Sequence, residues 1–337
     1  MKTLICREPT CFEYKERPVP TPAENEVLLK VKTIGICGTD IHAWAGKQPF
    51  FNYPRVLGHE ICGVIVAIGN NVTHFSVGQQ AAVIPYLSCN RCSACFDHRP
   101  NCCENISVIG VHQDGGMVEY ITVPESNVLL AEGIIPAAAA LIEPFAISAH
   151  AIRRAECQPE DNVLVVGGGP IGLGIAAIGI ADGVNLVLAD TQAERRLHAH
   201  QRLSIVVLDP TDPQFERQLR ASFQGELPNK VIDATGNEFA MNNSVNLIRH
   251  GGHIIFVGLF KGNLSFSDPD FHKKETTMKG SRNATHEDFA KVARLMREGK
   301  IDAKMMLSHR FNFSSLAEIY ETQIVNNKNL LKAVVEF

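Results

Sequence analysis

Four cysteines, Cys89, Cys92, Cys95 and Cys103, follow C-x2-C-x2-C-x7-C inside the stretch SCNRCSACFDHRPNCCE (88–104). Thiolates at this spacing on a tight loop converge on the corners of a tetrahedron, the arrangement zinc adopts, and four of them leave no position for water. The chemistry expected is structural: a metal ion that shapes a loop. Cys102 stands beside Cys103, and the sequence leaves open which of the two ligates. A redox dithiol is the weaker alternative, because nothing thioredoxin-like surrounds the CxxC steps.

A second group of metal-type residues lies upstream. GICGTDIH (35–42) and GHEICG (58–63) carry Cys37, Thr39, Asp40, His42, His59 and Glu60. One Cys and one His from different loops, joined by a carboxylate, leave a coordination position open for water or substrate, as a catalytic zinc requires. The carboxylates available are Glu60 and Glu143, the latter in LIEPFAISAHA. HEIC is not the helical metalloprotease motif, since position 63 is Gly.

The third constellation is GGGPIG (167–172), in which Gly167, Gly169 and Gly172 complete G-x-G-x-x-G after the apolar run NVLVV. Glycines there allow a tight turn and close approach of backbone to a pyrophosphate seated on a helix N-terminus. Asp190 ends the next apolar run, where a carboxylate accepts hydrogen bonds from an adenosine ribose. Against a 2′-phosphate, one like-charge pair at about 4 Å costs about 4 kcal/mol at an effective dielectric of about 20, roughly a thousandfold in affinity. The reading is NAD rather than NADP, with Arg195 reaching toward the adenine and Arg196 on a solvated helix face.

These groups need elements to hold them. Residues 1–145 read as short strands punctuated by Gly and Pro: EVLLKVKTI (26–34), ICGVIVAIG (61–69), QQAAVIPY (79–86) and MVEYITVP (117–124). This is a barrel-like all-β pattern with the metal-type residues on its loops. From Asn162 onward, apolar runs at NVLVV, 185–190, 204–209, 230–235 and 253–258 alternate with spacers of helical length. That alternation predicts a parallel sheet covered on both faces. THEDFAKVARLMREGK (285–300) predicts an amphipathic helix with a Thr285/Asp288 capping box and a Gly299 stop. A second helix over 314–324 and a strand over 330–337 follow, a tail too short to stand alone and expected to fold back on the first domain.

The 337-residue length favours two domains. A composition of 45% apolar and 20% charged residues is ordinary for a globular chain, and a net charge of −4 argues against a phosphate-neutralising nucleic-acid binder. The N-terminus lacks the apolar core of an export signal. The charge-free run over 163–181 mimics a membrane span in hydropathy, but its glycines suit a strand, turn and helix better. A cytoplasmic location is expected, where clustered cysteines serve as metal ligands rather than disulfides.

A β-rich part with a closed four-cysteine site and an open Cys/His/Glu site, followed by a dinucleotide-binding part, resembles the zinc-dependent medium-chain alcohol and polyol dehydrogenases. GICGTDIH, GHEICG, the spaced cysteines, EPF and GGGPIGL occur in that family's order across essentially the whole chain. The resemblance implies an α/β fold: a GroES-like β-barrel catalytic domain over 1–147, a Rossmann doubly wound parallel-sheet domain over 148–282, and a C-terminal segment over 283–337 that returns to the catalytic domain.

It implies two zinc ions per chain. The catalytic one maps to Cys37 and His59, with Glu60 or Glu143 as the third ligand, and the structural one to Cys89, Cys92, Cys95 and Cys103. Thr39 matches the hydroxyl of the family's proton relay, His42 its outer end, and Asp40 a partner near the metal. Pro170, Ile171, Thr235, Gly236, Val257, Arg282 and Asn283 join the glycines, Asp190 and Arg195 as expected NAD contacts. The implied activity is oxidation of a secondary alcohol in a polyol or sugar acid, by a homodimer or homotetramer, with neither nucleic acid nor membrane as partner.

An acidic substrate needs a cationic contact, for which Lys47, Arg55, His112, Lys261 and Arg282 are candidates. Trp44, Phe50 and Phe51 serve equally well as cleft or core.

Overall fold

Strand Glu26–Ile36 turns Val27, Leu29 and Val31 into the core and Lys30 and Lys32 outward, the period of a pleated strand with one face in a core. In the computed structural model, which describes residues 1–48 and 51–337, this strand is central to a seven-stranded sheet. It pairs antiparallel with Glu60–Ile68 on one side and with Ala333–Glu336 on the other, and Tyr120–Pro124 also pairs with it. The carboxyl-terminal strand therefore belongs to the amino-terminal sheet. Residues 1–143 and 285–337 form one compact unit, and residues 144–284 form a second.

The second unit is built on six parallel strands in the order Val206–Leu208, Asn185–Ala189, Asn162–Val166, Lys230–Asp233, His253–Phe256, Thr277–Gly280. Numbered along the chain this is 3-2-1-4-5-6, the Rossmann order, whose reversal point lies beside the first strand. The apolar run over 163–181 resolves into strand Asn162–Val166, a glycine turn and helix Pro170–Ala181. Among the described residues no helix is long and apolar enough to cross a membrane.

Several local expectations change. The run over 79–86 breaks into Gln80–Val83 and Tyr86–Leu87, because Pro85 has no N–H for a ladder. The segment over 314–324 is a 3-10 turn, the short helix Leu316–Ile319 and a π-helical turn Tyr320–Val325 rather than one regular helix. An amino-terminal hairpin, Lys2–Glu8 with Cys11–Glu16, turns at Thr10 with φ 64°, and sequence reading assigned no strands there. Helix His286–Arg297 carries the Thr285/Asp288 capping box and stops before Gly299 at φ 68°. Trp44 and Phe51 are buried in the core of the first unit, which assigns them to packing, and Phe50 lies outside the described residues.

Candidate functional site

Cys37 is the N-cap of helix Gly38–Trp44, which begins where Glu26–Ile36 ends. Asp40, in the first turn, accepts a hydrogen bond from the Cys37 N–H at 2.9 Å and another from the Gly58 N–H at 3.1 Å. One buried carboxylate thus ties together the two loops that sequence reading joined only by residue type. It also stands 3.7 Å from Nδ1 of the buried His59. Thr39 is half-buried and His42 exposed, and their spacing of three places them on one face of the helix.

Cys37, His59 and Glu60 each bring one candidate donor atom within 4.8 Å of the others. Glu60 opens strand Glu60–Ile68 and lies opposite Gly35 in the ladder. Its Oε1 accepts a hydrogen bond from the buried Lys332 ammonium, while Oε2 has no partner among the described residues. Glu143, near the start of helix Ile142–Arg154, is not among the three converging residues. Its Oε1 accepts from the Tyr86 hydroxyl, and its Oε2 is also unpaired. Sequence reading missed Tyr86 and Lys332, and no motif marks either.

The electrostatics are unusual for a protein interior. Asp40, His59, Glu60 and Glu143 are all buried, and among the described residues His59 Nδ1 lacks a hydrogen-bond partner. Burial pushes His59 down, but Asp40, Cys37 and Glu143 outweigh it and hold the imidazole well above its ordinary range. Burial likewise pushes the Glu143 carboxyl up to about 6, with His59 pulling in the opposite direction. Unsatisfied buried carboxylate and imidazole atoms are rare and call for a partner. A thiolate, an imidazole and a carboxylate are the donor set of a zinc site with one position left for exchange, so these residues fit the ion.

The four spaced cysteines also converge. Sγ of Cys92 lies 3.5 Å from that of Cys95 and 3.9 Å from that of Cys103, and all four sulfurs fall within 4.8 Å of one another. A tetrahedron with Zn–S bonds of about 2.3 Å needs sulfurs about 3.8 Å apart. Cys103 belongs to this group, whereas Cys102 is exposed and outside it. Backbone N–H groups, that of Arg91 foremost, bring the Cys89 thiol down to about 6, and the Glu104 N–H acts in the same direction on Cys92. Among the described residues no cysteine forms a disulfide.

In the second unit, Gly167 adopts φ 102°, and a Cβ at Gly172 would collide with the Gly167 carbonyl, so both glycines are required where strand meets helix. Gly169 is the N-cap and Pro170 the first residue of helix Pro170–Ala181, followed by Ile171. Asp190 Oδ2 accepts from the Gly168 N–H at 2.6 Å, and Oδ1 accepts from the Gln192 N–H at 2.7 Å. The acidic residue therefore braces the glycine turn itself. Arg195 lies 3.8 Å from Asp190, and Arg196 donates to the Asp190 carbonyl and pairs with Asp209 at 2.9 Å.

Thr235 and Gly236 follow strand Lys230–Asp233, Val257 follows His253–Phe256, and Arg282 and Asn283 follow Thr277–Gly280. All five thus sit beyond the carboxyl ends of parallel strands, where nucleotides bind in such sheets. Of the candidate cations for a substrate carboxylate, Lys47 and Lys261 are exposed, Arg55 stands 3.7 Å from Asp114, and His112 accepts from the Val108 N–H at 3.0 Å.

The chain is similar to known proteins along its whole length. Residues 23–133 match the alcohol dehydrogenase GroES-like domain, and residues 170–298 match the zinc-binding dehydrogenase domain. The chain is 64% identical over 337 residues to the L-galactonate-5-dehydrogenase of Escherichia coli K12, covering 100% of this chain and 99% of that protein. It is 32% identical over 340 residues to the starvation-sensing protein RspB of the same organism, covering 100% and 99%. Among solved structures, an E. coli CFT073 RspB complexed with NADH superposes with a TM-score of 0.92 at 31% identity, covering 100% and 99%. The galactitol-1-phosphate dehydrogenase of E. coli superposes with a TM-score of 0.92 at 25% identity, covering all of both chains.

Proposed function

This chain belongs to the zinc-binding alcohol dehydrogenases, and from that premise we propose that it oxidises the C5 hydroxyl of L-galactonate to the keto acid D-tagaturonate with NAD. The observation that carries the substrate is the 64% identity to an L-galactonate-5-dehydrogenase over the full 337 residues. The reaction removes one proton from the hydroxyl and one hydride from the carbinol carbon.

Cys37 and His59 would hold the catalytic zinc with Glu60 as the third ligand, Glu143 being the alternative to Glu60 in that place. Cys89, Cys92, Cys95 and Cys103 would hold a structural zinc. When bound, the catalytic zinc supplies a Lewis acid that eases loss of a hydroxyl proton, and NAD supplies the hydride acceptor. Asp40, 3.7 Å from Nδ1 of His59, would stabilise the ring electrostatically beside the metal. The Thr39 hydroxyl, two residues after Cys37, would relay the departing proton by accepting it as it releases its own, and the exposed His42 on the same helix face would be the outer end that passes a proton to water.

Gly167, Gly169, Pro170, Ile171 and Gly172 form the pyrophosphate turn, and Asp190 orients the ribose. Thr235, Gly236, Val257, Arg282 and Asn283 complete the cofactor surface at the strand ends. Ten thiols without a disulfide suit a reducing cytoplasm, and the active species is read as a homodimer or homotetramer.

The test is NADH formation by zinc-replete protein with L-galactonate, set beside other aldonates, free polyols, galactitol 1-phosphate and L-threonine. Preferred turnover of L-galactonate is expected. Turnover of another alcohol alone would keep the reaction and sink the substrate, and absence of any turnover with NAD still bound would sink both.

A further inference from the structure

The pair between Lys332 and Glu60 joins two side chains that are nearly inaccessible, at 3% and 0% exposure, and its partners lie 272 residues apart. Three strand ends meet there. Gly35 is opposite Glu60 in one ladder and opposite Val334 in the next, so Lys332 stands at the same end of the sheet as Cys37 and Glu60. The backbone of Lys332 is itself fixed: its carbonyl accepts from the Ser308 N–H at 2.9 Å, and its N–H donates to Ser308 Oγ at 3.2 Å. A Cβ at Gly35 would collide with Oε2 of Glu60, so the bare glycine is the room in which that oxygen sits.

We propose that Lys332 is a positioning residue that restricts Glu60 to one metal-ligating oxygen and so keeps a coordination position open at the Cys37–His59 site. The inference rests on reading Cys37, His59 and Glu60 as the zinc ligands. An ionised carboxylate offers both oxygens to a cation. With the ammonium's positive charge held against Oε1, a second cation is repelled from that oxygen and the unpaired Oε2 is favoured, so Cys37, His59 and one oxygen make three ligands. A fourth position then remains for an incoming hydroxyl, which catalytic zinc requires. Without the ammonium, Glu60 turns both oxygens to the metal, and the position closes.

The experiment uses enzyme reloaded with cobalt(II), whose visible bands report coordination, and subtracts the spectrum of Cys37→Ser to isolate this site from the four-cysteine lobe. Imidazole serves as the exogenous ligand. In the unmodified chain it shifts the Cys37-dependent bands on entering the open position. In Lys332→Met the bands change shape before imidazole is added, and its apparent Kd rises by roughly tenfold or more, the scale on which partners of metal ligands act. Lys332→Arg, which keeps a cationic donor, retains most of the response.

Superimposable spectra and imidazole titrations for Lys332→Met and the unmodified chain would overturn the proposal while leaving the metal site intact. Absence of any Cys37-dependent cobalt band in the unmodified chain would overturn the ligand assignment beneath it. Should Lys332→Met not fold, Glu60→Gln is compared with Glu60→Gln/Lys332→Met. Equal imidazole affinity in those two places the effect of Lys332 in Glu60, and a further tenfold loss in the double variant overturns it.

Discussion

Glu143 depends on a single side chain that no motif announced. The Tyr86 hydroxyl donates to Oε1, and Oε2 is already unpaired. Tyr86→Phe leaves a buried carboxylate with no direct donor, a loss of about 1–3 kcal/mol. A lower urea midpoint is therefore expected for Tyr86→Phe at unchanged slope, and an unaltered midpoint would show that Tyr86 does not support Glu143. Asp190 makes a different case, because both its oxygens are engaged by the backbone of the glycine turn and of residue 192. Its fixed negative charge still repels a 2′-phosphate. Asp190→Ala is expected to lower the ratio of kcat/KM for NAD over NADP by at least tenfold, and a ratio that stays put would move cofactor choice to Arg195 and Arg196.

Among the elements, the four-cysteine lobe and the glycine turn were legible because their determinants are close in sequence. Cys89 to Cys103 spans fifteen positions, and Gly167 to Gly172 spans six. Apolar runs marked five of the six strands of the parallel sheet within a residue or two for the same reason, and missed Thr277–Gly280, whose TMKG carries no apolar run. Lys332 and Tyr86 were not legible, since their partners lie 272 and 57 residues away and each stands alone among ordinary neighbours. The helix expected over 314–324 failed as a regular element because its apolar spacing is met by a π-helical turn that buries Tyr320 and Ile324. Proton linkage tests the lobe. Backbone donors hold the Cys89 thiol at about 6 instead of its ordinary 9.0. At Cys89 the fold therefore favours the thiolate, a preference complete above the ordinary value and lost as pH falls through about 6, while burial pushes Cys95 the other way, up to about 11. Zinc needs the same thiolate. The lobe is expected to keep one zinc against a chelator at pH 7 and to surrender it at pH 5, as read by zinc release per chain. Equal retention at both values would show that zinc release is not governed by the Cys89 proton in this range.

At the scale of the molecule, chain order and spatial order diverge, and this bears on what a terminal deletion does. The first unit takes its residues from 1–143 and 285–337, whereas the second is continuous over 144–284 with its own apolar core. Strand Ala333–Glu336 lies between Glu26–Ile36 and His309–Asn312, so it is an interior strand of the first sheet although it ends the chain. Deleting residues 330–337 removes ladder partners from two strands at once and leaves Glu60 without its ammonium. Breaking a buried charge pair by removing one partner costs about 3–5 kcal/mol, and the lost burial of Ala333, Val334 and Val335 adds to it. Since a domain's whole stability is about 5–15 kcal/mol, the first unit is expected to unfold while the second persists. Limited proteolysis of the truncated chain then leaves a resistant fragment near residues 144–284, with zinc lost and NAD still bound. Full-length resistance in the truncated chain would mean that the returning segment decorates the first unit rather than completing it.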